Sequence, residues 1–94
     1  MKSKNKSADT GKESLQLIPG VGPELAQQFH DIGINRISDL TGKVPEELYS
    51  QMCAKHGVRL DRCVLYVCRC SVYFAETQNP DPEKLKWWYW KDKP

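Results

Sequence analysis

The chain predicts an all-α fold: a compact domain of five to six helices, built as two tandem helix-hairpin-helix units with a C-terminal aromatic helix. Three observations predict it. Leu17-Ile18-Pro19-Gly20-Val21-Gly22-Pro23 sets a glycine-rich turn ahead of an apolar run at helical spacing. Apolar residues recur three and four apart through most of the sequence, and no stretch alternates as a half-buried strand does. Gly33, Gly57 and the Asn79-Pro80-Asp81-Pro82 run fall where such helices would stop.

Taken in order, residues 1–12 are rich in Lys, Ser and Asn, hold too little apolar content to fold, and read as a disordered basic arm. Residues 13–94 read as one domain. A short helix is expected from about Glu13 to Ile18, followed by the Gly20-Val21-Gly22 turn. Pro23, whose missing N–H is unpaired at a helix start anyway, opens a second helix to Ile32, with Leu25, Ala26, Phe29 and Ile32 apolar and Gly33 as its C-cap. Ser38 is expected to cap a brief turn through Leu40. Val44-Pro45-Glu46-Glu47 has the proline and paired acids of a first turn, and its helix should run to about His56. After a turn at Gly57 and Val58, Asp61 stands as a cap for a long helix to about Thr77. A last helix, about Pro82 to Lys91, would carry Leu85 and the Trp87-Trp88-Tyr89-Trp90 cluster.

Composition narrows the function classes. The chain of 94 residues is one small domain with a modest core. Its longest apolar stretch, Cys63 to Cys68, is far below the roughly 20 residues of a membrane span. The lysine-bearing N-terminus has no apolar signal core, so a cytoplasmic protein is expected. Three of the four cysteines, Cys63, Cys68 and Cys70, share one helical run, which resembles no secreted disulfide framework and points to reduced thiols. The net charge of +2 resides in residues 1–14, and the remaining ten basic and ten acidic residues cancel. Phosphate binding by so neutral a body requires local clustering or geometry.

Two segments offer it. In the Gly20-Val21-Gly22 turn, unpaired amides and the positive end of the following helix together attract an anion, and nucleic-acid backbone is the first ligand to consider. Between Lys55 and Arg69, four basic residues (Lys55, Arg59, Arg62, Arg69) face Asp61 alone. On the long helix Arg62, Arg69 and Glu76 recur by sevens beside Tyr66 and Tyr73, while Val64, Leu65, Val67, Val72, Phe74 and Ala75 cover the rest of the circumference. This should be the central helix, with a polar stripe that either follows a phosphate backbone or is a solvated face with amphipathic tyrosines.

The remaining chemistry-bearing residues give little. On a helical wheel Cys63 and Cys70 lie about 20° apart, but Cys68 points about 150° away, so the three cannot converge on one metal ion. No metal or other cofactor is expected. Cys53, near Lys55 and His56, is the one candidate for a redox thiol. Neither His30 nor His56 has a recognisable catalytic partner, so no enzymatic activity is expected. Four consecutive aromatics cannot all face one core. Either Leu85 and Trp88 dock the last helix and the others are half covered, or Trp87 and Trp90 form a platform for a partner or a stacked base.

At this point the residues carry a resemblance. IPGVGPELAQQF, GINRISDL, VPEELYSQMCAKHGV and DRCVLYVCRCSVYFAE, followed by LKWWYW, resemble the small bacterial pathogenicity-locus family of helix-hairpin-helix proteins, sometimes labelled mitomycin-resistance-like. More distantly, the hairpin, the GI linker and the PEEL helix are similar to N-terminal domains of archaeal recombinases. The resemblance implies tandem, SAM-like hairpins that contact DNA backbone without reading sequence, through the amides of Gly20, Val21 and Gly22, with a degenerate second hairpin over Gly57 to Leu60. The chain departs from the pattern in one respect. DNA-binding hairpins often carry a cation just after the second glycine, whereas here Pro23-Glu24-Leu25 follows, and Glu24 repels a phosphate while suiting the helix N-terminus.

The expectation is a non-sequence-specific DNA-binding module. Gly20, Val21 and Gly22 would supply amides; Lys55, Arg59, Arg62 and Arg69 would supply charge. The alternative is a protein-interaction or self-association module, in which the hairpin is structural and Trp87 and Trp90 dock a protein partner or a second copy.

Overall fold

Proline opens two helices of this chain and glycine closes both. In the computed structural model, which describes residues 13–92, helix α1 runs Pro23–Asp31, α2 runs Pro45–His56 and α3 runs Arg62–Glu76. The basic arm expected over residues 1–12 lies outside the described residues. Pro23 and Pro45 occupy the first helical turns, with Glu24 or Glu46 and Glu47 beside them at the positive end of the helix dipole. At the other end of α2, Gly57 adopts φ +73°; its N–H reaches the Ala54 carbonyl at 3.3 Å and the Val58 N–H reaches Cys53 at 3.2 Å. This Schellman arrangement needs a left-handed residue, which glycine adopts without a Cβ clash. The same pair of bonds ends α1, from Gly33 to His30 and from Ile34 to Phe29.

The described residues are all-helical, but they hold three α-helices where five to six were expected. The other segments are 3-10 turns at Leu15–Leu17, Ile37–Leu40, Pro82–Leu85 and Trp87–Trp90. Each spans three or four residues, too few to repay the nucleation of an α-helix, so the tighter turn is the form adopted. Tandem helix-hairpin-helix units are therefore not what the sequence builds. The arm before the Gly20 turn is the Leu15–Leu17 turn, capped by Ser14, whose Oγ accepts from Gln16 N–H at 3.2 Å. The expected second hairpin is the α2–α3 linker, tied to α2 where the Tyr49 hydroxyl donates to the Leu60 carbonyl and Leu60 N–H donates to Cys53 Sγ at 3.3 Å.

Two expected caps also differ. Asp61 stands at the N-cap of α3 without a capping side-chain bond. In the Ile37–Leu40 turn the cap is Asp39, whose Oδ2 accepts from the Asn35 and Arg36 amides at 2.9 and 3.2 Å, while Ser38 N–H goes to Glu13 Oε1 at 2.9 Å.

The core gathers one apolar face from each element: Leu15 and Ile18, Ala26 and Phe29, Leu40, Leu48 and Met52, and Val67, Cys68 and Val72. Burying a side chain the size of Phe29 or Leu48 contributes about 1.5–3 kcal/mol. Helix α3 is the central element, packed against α2, the Ile37–Leu40 turn and both C-terminal turns. Its buried Ser71 hydroxyl is satisfied by the Val67 carbonyl at 2.7 Å. Gly42 N–H ties to Glu76 Oε2 at 2.6 Å, fixing the loop before α2 to the far end of α3.

Candidate functional site

The C-terminal aromatic segment brings the glycine turn and the polar stripe of α3 together. Because a 3-10 helix has three residues per turn, Trp87 and Trp90 stand on one side of it. Trp87 lies parallel to Tyr66 of α3, centroids 6.5 Å apart, and Trp90 meets Tyr73 at 5.4 Å. The Trp90 indole N–H is satisfied by the Lys84 carbonyl at 2.7 Å. The expected last α-helix is replaced by two 3-10 turns, Pro82–Leu85 and Trp87–Trp90. Trp87 and Trp90 stack on α3, while Trp88 and Tyr89 turn outward at 52% and 47% exposure. The exposed aromatics are therefore Trp88 and Tyr89, whereas Trp87 and Trp90, the pair expected from sequence as a platform, are half-buried.

The Trp87 side chain also lies against the glycine turn. Trp87 Cδ1 is 3.5 Å from the point where a Cβ on Gly20 would sit, whereas the same point on Gly22 meets nothing within 4 Å. Val21 is buried and its N–H donates to the Ile18 carbonyl at 3.0 Å, which takes it out of any anion site. Among the described residues the amides of Gly20 and Gly22 have no acceptor. Gly22 is also the N-cap of α1, with no side-chain cap, so the first-turn amides behind it are open as well.

The four expected cations divide into two pairs. Lys55 and Arg59 are exposed and make no ion pair among the described residues. Arg59 lines a groove of about 660 Å³ with Tyr49, Cys53, Gly57 and Arg62. Arg62 and Arg69 are engaged within the chain. Arg62 Nη2 lies 2.6 Å from Asp92 Oδ2, and this hydrogen-bonded contact raises the guanidinium pKa and lowers that of the Asp92 carboxyl. Arg69 reaches Glu46 at 3.1 Å, Asp92 at 2.9 Å and the Trp90 carbonyl at 2.8 Å, and its guanidinium carbon stands 5.7 Å over the Tyr66 ring. The stripe expected to be open is thus partly neutralised by two acids, 23 and 30 residues away from the arginines they hold. Sequence reasoning missed Asp92, because it belongs to no periodic pattern.

The thiols separate by burial. Burial pushes Cys68 up to about 12 and Cys70 up to about 11, which keeps both as thiols. Cys53, the redox candidate, accepts the Leu60 amide proton and serves the α2–α3 linker. Among the described residues no three His, Cys, Asp or Glu side chains converge as a metal site, and no helix is long and apolar enough to cross a membrane.

Fold and face together define a small all-helical domain in which a glycine turn, an aromatic cluster and an arginine stripe are contiguous. A protein-family model described as "Pathogenicity locus" matches residues 8–94, and the chain belongs to that family. It is also 37% identical over 76 residues to the mitomycin resistance protein McrB of Streptomyces lavendulae, covering 81% of this chain and 69% of that protein. No solved structure matches it significantly.

Proposed function

We propose that this protein binds duplex DNA without sequence preference, by its phosphate backbone. The observation that carries the reading is the position of Trp87, which lies against both the Gly20 turn and Tyr66. It joins the open amides of Gly20 and Gly22 to the side of α3 that bears Arg62 and Arg69. A backbone phosphate received at the start of α1 gains two amide donors and the helix dipole, and Glu24 opposes part of that gain. Lys55 and Arg59, exposed at the α2–α3 linker, add neighbouring phosphate contacts. Titration of an arbitrary duplex at several salt concentrations tests the proposal, since backbone contacts release counterions and lose affinity as salt rises.

The exposure of Trp88 and Tyr89 favours a second reading, in which this edge docks a protein partner or a second copy. Sedimentation of the protein and of a Trp88→Ala, Tyr89→Ala variant distinguishes the two.

A further inference from the structure

The Asp92 carboxylate is held by three side chains from one face of α3. Its Oδ2 accepts from Arg62 Nε at 2.8 Å and from the Tyr66 hydroxyl at 3.2 Å, and Oδ1 lies 2.9 Å from Arg69 Nη1. Positions 62, 66 and 69 fall at i, i+4 and i+7, so α3 aims two guanidinia and a phenol at one point. Arg69 is already oriented for the task by Glu46 and the Trp90 carbonyl, and is only 20% exposed. Paired guanidinia with an added hydroxyl donor are the means by which proteins hold a phosphate, whose tetrahedral oxygens take such donors from several directions.

Asp92 occupies that point with a single negative charge. It is 40% exposed and Arg62 54% exposed, so the contact is screened by solvent, of modest strength and displaceable. Its release would leave Arg62 and Arg69 with only Glu46 against them.

We propose that Arg62, Tyr66 and Arg69 form a phosphate-binding site whose occupant in the free protein is the chain's own Asp92, so that the C-terminal segment is a latch that an incoming phosphate displaces. The site lies on the proposed DNA face and takes its macromolecular ligand from that reading, while its affinity for the phosphate group stands apart from it. The latch also accounts for a neutral body that carries a local arginine pair: the pair is satisfied until a stronger anion arrives.

The test compares the full chain with its Asp92→Asn variant, following the Arg62 and Arg69 Nε–H resonances by NMR as inorganic phosphate is added. The latch predicts that Asp92→Asn binds phosphate about fivefold more tightly, the scale of a favourable surface ion pair. Glu47→Gln, which removes the same charge from an exposed position on α2, should leave the affinity unchanged, and Arg62→Gln in the Asp92→Asn background should abolish the response. Equal affinity of the wild type and Asp92→Asn, or an equal gain in Glu47→Gln, overturns the proposal. A parallel titration with duplex DNA separates the two ideas. If Asp92→Asn gains phosphate affinity while neither protein binds DNA, the site stands and the DNA reading falls. If both bind DNA alike and phosphate does not discriminate, the latch falls and the DNA reading stands.

Discussion

Trp87 Cδ1 lies 3.5 Å from where a side chain on Gly20 would begin, and this packing makes the glycine turn part of the same surface as α3. Gly20 itself is at φ +91°, where a Cβ crowds the carbonyl. Gly20→Ala is therefore expected to destabilise the fold by about 1–2 kcal/mol through backbone strain alone. The added methyl meets Trp87 at an ordinary contact distance and contributes no clash. A shift of the urea midpoint at unchanged slope checks this.

Gly22 should respond with stability and binding moving in opposite directions. Its φ of −96° and ψ of −172° are those of an N-cap, and no side chain caps α1. Gly22→Ser should stabilise the protein by a few tenths of a kcal/mol, since a serine hydroxyl there accepts a first-turn amide. The same hydroxyl takes a donor intended for phosphate, so DNA affinity should fall. Thermal unfolding and DNA titration of the one variant measure both effects.

The thiols offer a test of packing. With Cys68 pushed up to about 12 and Cys70 up to about 11 by burial, both stay protonated and unreactive near neutral pH. Mass spectrometry after brief alkylation of the folded protein should find the exposed Cys63 modified and Cys68 and Cys70 intact. In denaturant all four cysteines should react.

Acid should release the C-terminal segment late. The Asp92 carboxyl is held below the usual carboxylate range, chiefly by its hydrogen bonds to Arg62, with Arg69 and Tyr66 assisting. For a group whose folded pKa is depressed, the contribution to docking is fully present above the ordinary carboxylate range and is lost as pH falls through the depressed value. The Arg62 Nε–H resonance should therefore stay constant while the free carboxylates titrate, and move only at lower pH.

Much of the fold was legible because it is written locally. Pro23, Pro45, Gly33 and Gly57 bound α1 and α2 by backbone chemistry that neighbouring residues decide, and the apolar circumference of α3 announced its central position. The aromatic tail was misread for the opposite reason. The docking of Trp87 and Trp90 depends on Tyr66 and Tyr73, which lie 21 and 17 residues before them in the chain. The candidate site divides in the same way. The open amides follow from the turn sequence, whereas the engagement of Arg62 and Arg69 by Asp92 and Glu46 depends on tertiary placement that no spacing rule encodes.

The central claim, that the protein holds DNA by its phosphates, is most directly tested by titrating a duplex of arbitrary sequence into the full chain between ~50 and ~200 mM salt. With about four backbone contacts the account predicts a loss of affinity of about a hundredfold across that range, equal for unrelated sequences. The slope should fall by about one unit for each of Lys55→Ala and Arg59→Ala. Absence of binding at the lowest salt, or an affinity indifferent to salt, would contradict it.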